Sequence, residues 1–173
     1  MGSSTDLTPF DTAPWAALRK PDDWTVHRMR HACEHLVVLT PCGRDWDAIV
    51  VAPLDRGLAA LDTLDLPLDA GYAVLADYSR RELVVLAAVG TADSLRDLPG
   101  VRVLSAGSWL LLPHQPSQCH YSATWLSGRG EYCSAFLNPA ELRDALLDTD
   151  AQRARQGFAT LCRAAADESA TAP

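Results

Sequence analysis

The chain has 173 residues, of which 48% are hydrophobic, a length and composition that fill one sizeable core and argue for one domain rather than two. Its formal net charge is −7; Lys20 is the single lysine, and the arginines are scattered except for the pairs Arg28 and Arg30, Arg80 and Arg81, and Arg153 and Arg155. That balance excludes a basic stripe able to displace counterions from a polyanion, so tight nonspecific DNA binding is not expected.

Residues 1–21 contain Pro9, Pro14 and Pro21 among small polar residues and predict a flexible N-terminal arm, pinned to the body by Trp15 and Leu18. Asp22 or Asp23 caps a helix running to about residue 34, with Trp24, Met29 and Cys33 as candidates for its buried positions. Residues 36–39 and 48–51 read as strands on either side of a Pro41-Cys42-Gly43 turn. Leu54, Leu58, Leu61 and Leu64 recur at helical spacing, which gives that segment an apolar stripe to lay on a sheet. Two β runs, 71–76 and 82–89, are joined by a hairpin over 77–81, and residues 91–98 read as a short helix between Thr91 and the Pro99-Gly100 stop. Two closely linked strands, 101–104 and 109–112, flank a small-residue turn, and 121–126 alternates as an edge strand would. Asn138-Pro139-Ala140-Glu141 has the chemistry of a helix start; the helix continues over 150–166, ahead of a disordered tail at 167–173. Residues 22–166 thus predict a single α/β domain: a mixed, largely antiparallel sheet with helices mainly on one face. No GxGxxG and no glycine-rich lysine loop occurs.

No run approaches the roughly 18 uninterrupted apolar residues of a membrane-spanning helix. The start, Met1-Gly2-Ser3-Ser4-Thr5-Asp6, lacks the basic and apolar regions of an export signal, so a cytoplasmic protein is expected. Five cysteines, an odd and widely spaced set without CxxC, suit free thiols packed as small apolar groups.

Three constellations carry chemistry. Alternation on an extended chain puts Asp45 and Asp47 on one side and Trp46 on the other, so the two acids either hold a divalent cation or simply end a turn in solvent. His27, His31 and His35 are spaced by four on the first helix and share a face; with Glu34 they satisfy H-x-x-E-H, a zinc pattern, although a solvent-facing or interface ladder satisfies it equally. The polar loop from His114 to Tyr121 follows a strand end, where His114 and His120 are candidates for ligand contacts, with an ordinary wet loop as the alternative.

The sequence from Pro41-Cys42-Gly43 through Trp46-Asp47 to Pro53, the helix from Leu54, and the turn at Ser105 that opens into a strand ending at Pro113 have a familiar order. It resembles the N-terminal domain of bifunctional DNA primase/polymerase proteins, in their short, stand-alone, diverged actinobacterial versions, over roughly residues 36–127. The resemblance implies a primase/polymerase-like fold in which Asp47 and Asp45 would be catalytic carboxylates holding Mg or Mn, and in which Asp47 and the turn from Ser105 to Ser108 share one opening. Ser105, Ser108, His114 and His120 are then the ligand-binding candidates. Active members carry a histidine after the glycine turn, where this chain has Gly107-Ser108-Trp109-Leu110, and no third strand acid is evident beyond Asp77 and Glu131. The expectation is therefore a domain without polymerase activity that binds a nucleotide, another small molecule, a nucleic-acid end or a protein partner. An enzyme recruited to a tailoring step in actinobacterial small-molecule biosynthesis, using the old acidic cleft, is the alternative, and an interface protein or homodimer is the third reading.

Overall fold

The computed structural model describes residues 15–31, 37–113, 122–127 and 135–170. Cys33, Glu34, His35, His114, Cys119, His120, Glu131 and Cys133 lie outside them, as do residues 1–14 and 171–173.

Among the described residues seven strands form two sheets. Five of them, β2 (Asp47–Val51), β3 (Val74–Asp77), β4 (Glu82–Ala87), β5 (Val101–Leu104) and β7 (Ala123–Trp125), build an antiparallel sheet in the order β5-β2-β4-β3-β7. β2 is buried along its whole length, which explains its unbroken apolar run from Ala48 to Val51. Ile49, Val51, Val74, Ala76, Leu83 and Val85 face one side, where α2 (Leu54–Thr63) and α3 (Pro139–Ala170) cover them with Leu54, Leu58, Leu61, Leu142, Ala145 and Leu146. The expected antiparallel sheet with helices on one face is what forms. α2 lies close on β4: a Cβ at Gly57 would come within 2.7 Å of Leu83 Cδ2.

Caps and clamps hold the helices in place. Asn138 Oδ1 accepts the Ala140 N–H at 3.0 Å and its Nδ2 donates to Glu141, so the cap forms as read. Arg56 reaches from α2 to Asp150 on α3 through two hydrogen bonds of 2.8 and 2.7 Å. Trp15 and Leu18 do pin the N-terminal segment: Trp15 is fully buried, its amide and that of Ala16 donate to the Asp62 carboxylate, and Tyr78 Oη donates to the Leu18 carbonyl. α1 (Asp23–Arg30) starts at Asp22, whose carboxylate accepts the Thr25 N–H at 2.7 Å.

The two strand–turn–strand segments do not close hairpins. β1 (Val37–Pro41) pairs with β6 (Trp109–Pro113), while β2 pairs with β5. Each segment is one arm bent at its turn, and the arms run antiparallel through the bend. There Cys42 N–H donates to the Ser108 carbonyl at 2.9 Å, and Gly43, at φ +80°, packs so tightly that a Cβ would lie 2.2 Å from Ala106 N. The β1–β6 ribbon thus lies over the second face of the sheet, where Ala48, Val50, Leu75, Val84 and Leu86 meet Leu110 and Leu112. The segment 91–98 makes only a 3-10 turn, Asp93–Leu95, because Arg96 folds back onto Asp93, Val103 and Ser105 and draws the chain straight into β5. Among the described residues no helix is long and apolar enough to cross a membrane.

Candidate functional site

A groove of about 420 Å³ opens between the second sheet face and the ribbon. Register explains its two-sided chemistry. Val50 on β2 stands beside Arg102 on β5 and Val84 on β4, Val84 stands beside Leu75 on β3, and one step toward the β3–β4 turn Asp77 opposes Glu82. An apolar floor therefore ends in a polar rim. Leu39, Trp109, Leu110 and Leu111 supply the ribbon wall, and Trp109 is 59% exposed. Small-molecule sites are usually concave with a few convergent polar groups; the floor of this groove is apolar, but its exposed lining is more polar than apolar.

The rim is organised in detail. Arg102 reaches across β2 so that its Nη2 donates to both Glu82 oxygens, at 2.7 and 2.8 Å. Its Nε and Nη1 make no hydrogen bond among the described residues, and the side chain is 57% exposed. Asp77 Oδ1 accepts the Ser79 N–H, the Ser79 hydroxyl and the Arg80 N–H, which fixes the turn and holds Arg80 at the groove mouth. Two guanidinium groups thus face the opening with donors to spare.

The acids singled out in the sequence are placed differently. Asp47 is 2% exposed, and its Oδ2 accepts the Gly90 N–H at 2.7 Å, locking the turn after β4; its Oδ1 is buried without a partner among the described residues. Asp45 is exposed and precedes the strand. One carboxylate is inside and the other outside, because β2 begins only at Asp47 and the alternation does not extend back to Asp45. Asp47 also adds its charge to the burial that pushes the Cys42 thiol up from its ordinary value. A hard divalent cation asks for about six oxygen ligands, and among the described residues no group of three or more His, Cys, Asp or Glu converges. Among the described residues, the donors at Asp47 do not make the set that Mg or Mn requires.

Ser105 and Ser108 lie in the turn that packs on the Cys42–Trp46 turn, next to Asp47 in register, but both are used by the bend: Ser105 Oγ accepts from Arg96, its carbonyl accepts the Ser108 N–H, and the Ser108 carbonyl accepts from Cys42. Neither lines the groove. His27 and His31 meet on the surface of α1 with ring centroids 4.4 Å apart and planes tilted by 53°, and Trp24 stacks on His27. The groove residues missed in the sequence, Glu82 and Arg102, did leave a signal: Glu82 opens β4 and Arg102 is the second residue of β5, each a charged residue in an otherwise apolar strand and in phase with its groove-facing positions, Val84 and Leu104. No protein-family model, curated protein or solved structure matches the chain.

Proposed function

We propose that the chain is a diverged primase/polymerase-like domain that binds a nucleotide without polymerising it, and that the groove between sheet and ribbon receives the ligand. The observation that carries this reading is the pairing, in one cavity, of an apolar floor and the exposed Trp109 ring with the unsaturated donors of Arg102 and the neighbouring Arg80. A flat base stacks on the aromatic wall, a contact of about 1–3 kcal/mol, while the phosphate takes the guanidinium donors. Polymerisation would need carboxylates converging on metal ions, and Asp47 instead holds a turn. Tight nonspecific binding of extended duplex DNA is not part of this reading, since the net charge is −7 and Arg56, Arg81, Arg96 and Arg143 each already face a carboxylate.

Calorimetry with nucleoside monophosphates, the matching nucleosides and inorganic phosphate tests this. Monophosphates bind, nucleosides and phosphate bind at least about tenfold more weakly, and Arg102→Ala or Trp109→Ala abolishes the difference. Primer extension stays absent with magnesium or manganese. Template-dependent extension lost in Asp47→Ala, or an absence of monophosphate binding, refutes the reading.

A further inference from the structure

The outer half of α3 has no role in the groove. Its first turns pack on α2 through Leu142, Ala145, Leu146 and Thr149, all buried. From Ala151 to Thr160 every residue is exposed, although isolated helices of this length are marginal in water. The exposed side is not uniformly polar. Leu147, Ala151, Ala154 and Phe158 follow one another at spacings of four, three and four, the 3.5-residue repeat of a two-helix seam. Leu147 is 44% and Phe158 70% exposed.

We infer that two copies of the chain pair through this stripe as antiparallel helices, about a two-fold axis between Gln152 and Arg153. The stripe is self-complementary about that point. Leu147 of one copy meets Phe158 of the other, Ala151 meets Ala154, and the small alanines at the centre let the helices approach to about 8–10 Å. The flanking charges choose both the occupant and the direction. Asp148 and Arg155 each follow a stripe residue by one position and so share a flank, and both are exposed with no ion pair among the described residues. Antiparallel packing sets like flanks together, so Asp148 of each copy lies beside Arg155 of the other, twice by symmetry. Parallel packing would direct Arg155 to Asp150 instead, whose two oxygens Arg56 already holds. Four stripe residues per copy bury much less than the ~1,600 Å² of a standard interface, so the dimer is weak, with a Kd on the order of tens of micromolar.

Sedimentation equilibrium of the full chain, from about 5 to 500 µM, reads the association. The wild type passes from monomer to dimer over that range, and Phe158→Asp, at a site too exposed to threaten folding, stays monomeric with an unchanged circular dichroism spectrum. Asp148→Arg and Arg155→Asp each weaken the dimer at least about fivefold, and the double exchange restores it, because two like-charge contacts become two opposite ones. A chain that is monomeric throughout, a dimer indifferent to Phe158→Asp, or a double exchange no better than the single ones overturns the inference. So does a monomer that captures a different protein through this stripe.

Discussion

Replacing Arg56 with alanine removes the clamp that sets the direction of α3. The side chain is 7% exposed and makes three bonds, Nε and Nη2 to Asp150 and Nη1 to the Pro99 carbonyl at 2.6 Å, so one guanidinium ties α2, α3 and the entry to β5. Losing the charged donor at Pro99 costs about 1.5 kcal/mol. The pair with Asp150 adds only about 1 kcal/mol, because Asp150 is 43% exposed and regains water. Removal of the buried aliphatic stem contributes about 1 kcal/mol more. The sum, about 3–4 kcal/mol, lowers the thermal midpoint of a chain this size by roughly 6–16 °C. Asp150→Ala reverses the asymmetry by leaving the guanidinium buried with the Pro99 carbonyl alone, and is expected to cost at least as much. Urea and thermal unfolding of both variants measure this. An Arg56→Ala protein within about 0.5 kcal/mol of wild type refutes the reasoning.

Asp47→Ala destabilises by about 1–2 kcal/mol through the lost bond to Gly90, the charge-assisted contact outweighing relief of the unpartnered oxygen, while Asp45→Ala changes nothing measurable in thermal unfolding. Gly43→Ala, which must place a Cβ 2.2 Å from Ala106 N at φ +80°, costs more than about 2 kcal/mol in chemical denaturation, whereas Gly107→Ala, at φ +89° but in open space, costs about 1 kcal/mol. Burial, with a smaller push from the Asp22 charge, raises the Tyr78 phenol from 10.0 to about 12, so its stabilising contribution is full below pH 10 and is lost as pH rises toward 12. Tyr78→Phe flattens that alkaline decline; a wild-type stability profile level from pH 10 to 12 contradicts the burial argument.

Much of the fold was legible because each local signal agreed with its neighbours. The Leu54–Leu58–Leu61 stripe, the Asn138-Pro139 start and the 77–81 turn are decided within a few residues, and all three form. Strand partnership is a different matter. Pro41 and Gly43, like Gly107, mark turns, but whether a turn closes a hairpin or bends one arm depends on what lies alongside, and here the Cys42 and Ser108 backbones bond across two segments some sixty residues apart. The groove was hidden for the same reason, since Arg102 and Glu82 meet only after β2 is inserted between their strands. Asp47 was legible as a strand-end acid, yet its partner, Gly90 N–H, carries no side-chain signature at all.

Backbone and indole amide resonances followed during titration with a nucleoside monophosphate test the central claim most directly. Shifts are expected to centre on Val84, Leu75, Arg102 and the Trp109 indole and to shrink in Arg102→Ala, with Gly90 and the His27–His31 surface unmoved. Shifts confined to the Asp47–Gly90 turn, or none at millimolar ligand, would contradict that claim.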